Sequence, residues 1–247
     1  MQQHPRILFP TKPPLATVIV LVGCLIGFVV ELCLGNRLGE FLLTFGIVPI
    51  GLKSYFDGVP GATFRSDVLP FFSSLFLHGG YIHLLANLSY LWVVGDFVED
   101  WLGKTRFLVL LLFGAAAELI VRIGLAPVHS GLPSVGISGA IASLIGAFLV
   151  ILAKLQEKEE HASAATRLRQ RLPVTLGLLA WFPVQLLNRY FSIAATTQTR
   201  EPVSWPALFA AFLLGMFLLS LTGRRIAPAS AEAPALPKDE GVPALGA

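Results

Sequence analysis

Apolar residues in this chain run in unbroken blocks, not in the period-two or three-and-four spacing by which a soluble domain hides one face. Six blocks, at 15–34, 81–98, 106–125, 138–155, 173–191 and 204–222, are 18 to 20 residues long. A helix of that length rises about 27–30 Å, enough to cross a bilayer core of roughly 30 Å. The pattern therefore predicts an all-α polytopic membrane protein, a six-transmembrane-helix bundle over residues 15–222. Residues 1–14 are polar and Pro-rich, and the Ala/Pro-rich tail at 223–247 is low in complexity and reads as disordered. The long first external loop, 35–80, carries "EFLLTFGIVPIGL" and "VLPFFSSLFLHGG" and is too apolar for disorder. It reads as short amphipathic helices partly sunk in the membrane interface. The charged stretch 156–171 reads as a solvated linker.

Composition agrees: 55% of the 247 residues are hydrophobic and 13% charged, more apolar surface than a soluble domain of this size can bury. Six spans put both termini on one side. With the loops assigned accordingly, twelve of the 18 Lys and Arg share the side of the termini. Arg37, Lys53, Arg65, Arg122, Arg189 and Arg200 fall on the other. The positive-inside rule then predicts cytoplasmic N and C termini, and the expected location is a bacterial inner membrane. The first block lacks a small-residue cleavage site and reads as a retained anchor. The net charge of +3 is spread over loops, so the lipid bilayer is an expected partner and nucleic acid is not. Cys24 and Cys33 lie nine residues, about 13 Å, apart on one helix, too far for a disulfide, and read as packing residues.

Polar side chains at membrane depth are costly, which makes each a functional candidate. His83 and Asn87, four apart, share a face of the second span, where they are able to donate hydrogen bonds or simply bridge helices. His78 falls about 140° round from His83, a poor arrangement for a joint metal site, and no metal or cofactor is expected. Ser138, Gly139, Ser143 and Gly146 form a small-residue stripe on the fourth span, facing a matching Leu208, Ala211, Gly215 stripe on the sixth. Glu118 and Arg122 have the spacing of a helical ion pair, and Glu31 lies near enough to a span end to reach the interface. The chain shows no inverted repeat, which argues against a transporter.

"FLHGGYIHLLANLSYLWVVGDFVEDWLGKTRFL" (76–108) and "GISGAIASLIG" (136–146) together resemble the rhomboid intramembrane serine proteases. The first segment is similar to that family's second span, with His-x4-His-x3-Asn and then Gly95, Glu99 and Gly103. The second is similar to its Gly-x-Ser-Gly motif opening the fourth span. "LAWFPVQLL" (179–187) and "VSWPALFAAFLLG" (203–215) resemble the fifth and sixth. The resemblance implies Ser138 as nucleophile, with His83 and Asn87 stabilising the oxyanion as substrate-binding donors. It also implies a water-filled site open to the outside.

The departure lies in the sixth span. Where the family carries Ala-His, with that histidine as general base, this chain has Ala207-Leu208, although Trp205, Ala211 and Gly215 keep the surrounding pattern. Leucine accepts no proton. Ile137, Ala142 and Ala210-Ala211 depart from the family pattern as well. His4 and His161 fall on the cytoplasmic side, and Lys154 is sixteen residues, about 24 Å, along the helix from Ser138. His129, in an external loop, is a conceivable substitute base. Losing the base of a catalytic serine costs on the order of 10⁴–10⁶ in turnover. The expected function is therefore that of an impaired protease, a pseudoprotease that binds transmembrane helices of client membrane proteins between spans two and five. The alternative is an active serine endopeptidase using Ser138 with an unrecognised base.

Overall fold

A computed structural model describes residues 13–125, 131–156, 164–187 and 204–222, and among them every regular element is helical. Helix α1 (Leu15–Leu34) is followed by a 3₁₀ turn and three short helices, α2 (Leu38–Phe45), α3 (Pro49–Phe56) and α4 (Pro70–Ser74). Next come α5 (Tyr81–Tyr90), α6 (Asp96–Leu102), α7 (Lys104–Leu125) and α8 (Ser138–Gln156). The order ends with α9 (Ala164–Leu179), α10 (Trp181–Leu187) and α11 (Trp205–Leu221). Four stretches are long and apolar enough to cross a membrane: 15–45, 81–102, 104–125 and 138–155. The segments 172–185 and 205–221 are shorter apolar helices.

Helix α8 is the centre of the bundle. Ala140, Ile141, Ala142, Ser143, Leu144, Ile145 and Ala147 are all buried, as expected of a helix that is apolar all round. Lipid cannot drive helices together by the hydrophobic effect, so close backbone packing has to do it. Glycines supply that packing on two sides. A Cβ at Gly114 of α7 would meet the Ser143 side chain, and one at Gly139 would lie 2.6 Å from Glu118 Cβ. On the opposite side, a Cβ at Gly215 of α11 would lie 2.6 Å from the carbonyl carbon of Ser143, and one at Gly146 3.1 Å from Met216 N. The predicted contact between spans four and six therefore forms through Ser143, Gly146 and Gly215. Gly139, expected in that stripe, instead faces α7. The outward side chains Ile19, Ile26, Val93, Ile120 and Phe217 are exposed, as lipid-facing residues should be.

Two spans differ from the sequence reading. The second runs to Leu102 through a π-helical segment, Leu91–Gly95, that joins α5 to α6. The residues beyond 98, where the apolar block ends, include a buried Glu99. Its carboxylate accepts from Ala16 N (3.0 Å), Thr17 N (2.7 Å) and Thr17 Oγ1 (2.8 Å). The two N–H groups are orphan donors of the first turn of α1, which has no side-chain cap of its own, and the negative charge sits at the positive end of that helix. The fifth span is broken in two, and α9 begins inside the stretch expected to be a linker. Pro183 gives the reason for the break: in one continuous helix its ring would strike the carbonyl of Leu179.

Candidate active site

Ser138 is the first residue of α8, half-buried, at the end of the helix where backbone N–H groups leave a partial positive charge. The chain reaches it through residues 134–137, which are pinned from two directions. Ile47 and Ser134 exchange both backbone hydrogen bonds (3.1 and 2.7 Å), and Gly136 N donates to Ser74 O at 2.8 Å. Gly136 has φ +111°, a conformation that penalises any side chain. A Cβ there would also lie 2.5 Å from His83 Cε1 and 2.7 Å from His83 Nε2. Glycine at 136 is thus required twice: for the turn into α8, and to let the His83 ring lie against the backbone two residues before Ser138.

His83 and Asn87 project from α5, one turn apart, and both are buried. His83 Nδ1 lies 2.8 Å from His78 O; a carbonyl only accepts, so Nδ1 carries a proton and the Nε2 edge turns toward Gly136. His78 lies in the loop between α4 and α5, within the 35–80 stretch read as a loop, but its side chain is fully buried there, with its ring centroid 5.2 Å from that of His83. Glu31, expected at the interface, is buried too. Its two carboxylate oxygens accept from His78 N and Gly79 N, each at 2.6 Å. A carboxylate on α1 therefore fixes the turn whose carbonyl fixes His83. The approach is close: a Cβ at Gly23, one turn before Gly27 on the same face of α1, would lie 2.8 Å from the Phe76 ring.

Asn87 is 0% exposed. Its Oδ1 accepts from Gln185 Nε2 of α10 at 3.0 Å, while its Nδ2 has no hydrogen-bond partner among the described residues. A buried donor left open in this way is the arrangement an oxyanion site needs.

Leu208 is 1% exposed, in the first turn of α11, with its N–H donating to Ser204 O at 3.0 Å. The glycine contacts bring Ser143 and Gly146 of α8 to the stretch Phe212–Met216 of α11, and Lys154, further along α8, reaches Leu219 and Thr222, so the two helices run side by side in one direction. Eight residues back from Gly146 along α8 is Ser138. The same step back along α11 reaches 204–208, so Leu208 is level with the serine. Among the described residues none hydrogen-bonds the Ser138 hydroxyl. His129 lies outside the described residues. Lys154 donates to Leu219 O (2.8 Å) and Thr222 O (2.7 Å), capping the far end of α11. Glu118 and Arg122 form the ion pair their spacing predicts, beside a small cavity that Ser74, Ser134 and Gly136 also line.

Gln185 is the residue that sequence reasoning missed. A lone amide in an apolar helix was the available signal, by the same rule that singled out Asn87.

Comparison with known proteins bears on the same residues. Residues 65–225 match the family described as Rhomboid domain. The chain is 30% identical over 140 residues to the rhomboid protease GluP of Bacillus subtilis (strain 168), covering 57% of this chain and 25% of that protein. It is 32% identical over 97 residues to the presenilin-associated rhomboid-like protein A, mitochondrial, of Danio rerio, covering 39% of this chain and 25% of the relative. With the rhomboid protease GlpG of Salmonella choleraesuis (strain SC-B67) it shares 22% identity over 172 residues, 70% of this chain and 56% of that one. The chain thus spans about a quarter of the length of the first two relatives and about half of the third.

Proposed function

We propose a function from the premise that this chain belongs to the rhomboid family and is an integral membrane protein: it binds transmembrane helices of other proteins and does not cleave them. The observation that carries this is Leu208, an aliphatic side chain buried level with Ser138, where the family resemblance calls for the general base. A serine hydroxyl is a weak nucleophile at neutral pH without a base, and leucine has no lone pair to offer. The names of two of the relatives, GluP and GlpG, describe them as proteases, and the vacancy at 208 is the reason that activity is not carried over to this chain.

The rest of the scaffold supports a binding role. Client helices would enter from the bilayer between α5 and α10, the second and fifth spans, where Asn87 holds an unpartnered buried donor. The charge bias between loops supports cytoplasmic termini, and a bacterial inner membrane is the proposed location.

A second reading, an active endopeptidase, draws on that same Asn87 Nδ2. A buried donor without an acceptor is destabilising unless something comes to use it, and an oxyanion would. In that reading Ser138 is the nucleophile and His129 the substitute base.

Co-reconstitution with a fluorescently labelled single-span protein separates the two. The proposal expects energy transfer reporting association and no Ser138-dependent product after prolonged incubation. Product that disappears in Ser138→Ala would overturn it, and absence of association would remove the binding role.

A further inference from the structure

Donors converge on the start of α8. Asn87 is 0% exposed; Gln185 occupies its Oδ1, and its Nδ2 has no partner among the described residues. It stands one turn beyond His83 on the same face of α5, and the His83 ring lies against Gly136, two residues before Ser138. Ser138 opens a helix of 19 residues, whose first-turn N–H groups have no intrahelical acceptor and carry the positive end of the helix dipole. The serine hydroxyl is a further donor, and Leu208, level with it, brings no polar atom. On the α7 side, Glu118 lies beside Gly139 but is neutralised by Arg122.

Two features decide which acceptor suits these donors. A backbone carbonyl in an intact transmembrane helix already accepts from the residue four positions on. A side-chain carboxylate has no such commitment and offers about four lone pairs. The second feature is His83. Its Nδ1 is protonated against His78 O, so the neutral ring presents a lone pair at Nε2 and only the imidazolium donates there. An imidazolium at this depth needs a counter-ion. The titratable and charged groups facing His83 from its neighbours are His78 in the preceding loop, Glu31 of α1 and, past Gly136, the Glu118–Arg122 pair of α7. Glu31 is engaged by His78 N and Gly79 N. From α10 and α11 come Gln185 and Leu208, which do not titrate.

We propose that this pocket takes a carboxylate, from an Asp or Glu side chain on a client transmembrane helix, and that His83 takes up one proton as it binds. The proton passes from bulk water to Nε2, while Nδ1 keeps its bond to His78 O. The bound state is an imidazolium–carboxylate pair, neutral as a whole, with Asn87 Nδ2 and the start of α8 supplying the other donors. This names what a client carries, and it rests on the binding reading above.

The test uses the full chain in nanodiscs of uncharged lipid with two fluorescent single-span peptides, differing only in Glu or Gln at the outer end of the apolar segment. At pH 6 the Glu peptide should bind roughly ten- to a hundredfold tighter than the Gln peptide, the range for charge-assisted hydrogen bonds. Its affinity should fall about tenfold per pH unit above about 7, where an ordinary imidazole is neutral, while that of the Gln peptide stays flat. Calorimetry in two buffers of different ionisation heat should find one proton taken up per Glu peptide at pH 7.5. The ¹⁵N resonance of His83 Nε2 should move to a protonated position on binding, a readout that needs no variant. His83→Gln and Asn87→Leu, checked for folding by thermal melting, should lose the preference for Glu, and His83→Gln should lose the pH dependence as well. Equal, pH-independent binding of the two peptides overturns the carboxylate site and leaves client binding standing. A preference for Glu without proton uptake and with an unshifted His83 resonance overturns the pairing with His83. Failure of both peptides to bind overturns the binding reading itself.

Discussion

Replacing Gly215 by alanine tests the packing that sets Leu208 level with Ser138. The added methyl would lie 2.6 Å from the Ser143 carbonyl carbon and 2.7 Å from its Cα, against about 3.5–4.0 Å for an ordinary carbon–carbon contact. The deficit is about 1 Å. Both obstructing atoms are backbone in the middle of α8, so no rotamer relieves them, and α11 has to move away from α8 as a body. A gap of 0.5–1 Å forfeits a quarter to a half of each dispersion contact along the seam. Overpacking of this kind costs about 1–3 kcal/mol, and an immovable neighbour puts the expectation near 3 kcal/mol. Gly124→Ala, on the exposed end of α7 with nothing near its Cβ, is the control. It should be neutral or stabilising by up to about 1 kcal/mol, through helix propensity alone. Reversible unfolding in mixed micelles, followed by tryptophan fluorescence, reads both. Equal stability of the two variants would refute the α8–α11 contact, and with it the register that sets Leu208 level with the serine.

Three further outcomes follow from the buried polar groups. Glu31→Ala leaves the N–H groups of His78 and Gly79 buried without their carboxylate, at about 1–3 kcal/mol each, and should lower unfolding stability by about 2–6 kcal/mol in the same assay. Glu99→Gln keeps the shape but removes the charge from the N-terminus of α1. It should cost about 1–2 kcal/mol, whereas Asp57→Asn, in an exposed pair with Lys53, should fall within about 0.5 kcal/mol of wild type. Gly136→Ala places a methyl against the His83 ring at a positive φ. The ¹⁵N resonances of the imidazole, which report a protonated Nδ1 in the wild type, should shift in that variant, and an unchanged spectrum would contradict the contact.

The spans were legible because each apolar block has to satisfy its own backbone hydrogen bonds in lipid, and length alone then reveals a helix. The break at Ala180 was also in reach, since Pro183 has no N–H to bond Leu179 O and its ring crowds that carbonyl. Glu31 and Glu99 were not legible. Each lies near the end of an apolar block, where a carboxylate is ordinarily drawn to water. Their burial depends on N–H donors supplied by segments 47 and 82 residues away in sequence. His78 sits in a loop as read, but its burial was not legible, because local pattern says nothing of Glu31 on α1 holding that loop against the bundle. The site showed a similar division. Ser138, His83, Asn87 and the vacant position at 208 came from the resemblance to the rhomboid motifs, since spacing alone fits helix packing as well, while Gln185 needed the partner that only the fold brings to it.

The account depends most on whether the Ser138 hydroxyl is ever activated. Labelling by a fluorophosphonate probe in proteoliposomes, read by in-gel fluorescence, measures this without a substrate. The wild type should label no more than Ser138→Ala, and Leu208→His, which returns an imidazole to the vacant position, should label above both. Wild-type labelling that vanishes with Ser138→Ala would contradict the account outright.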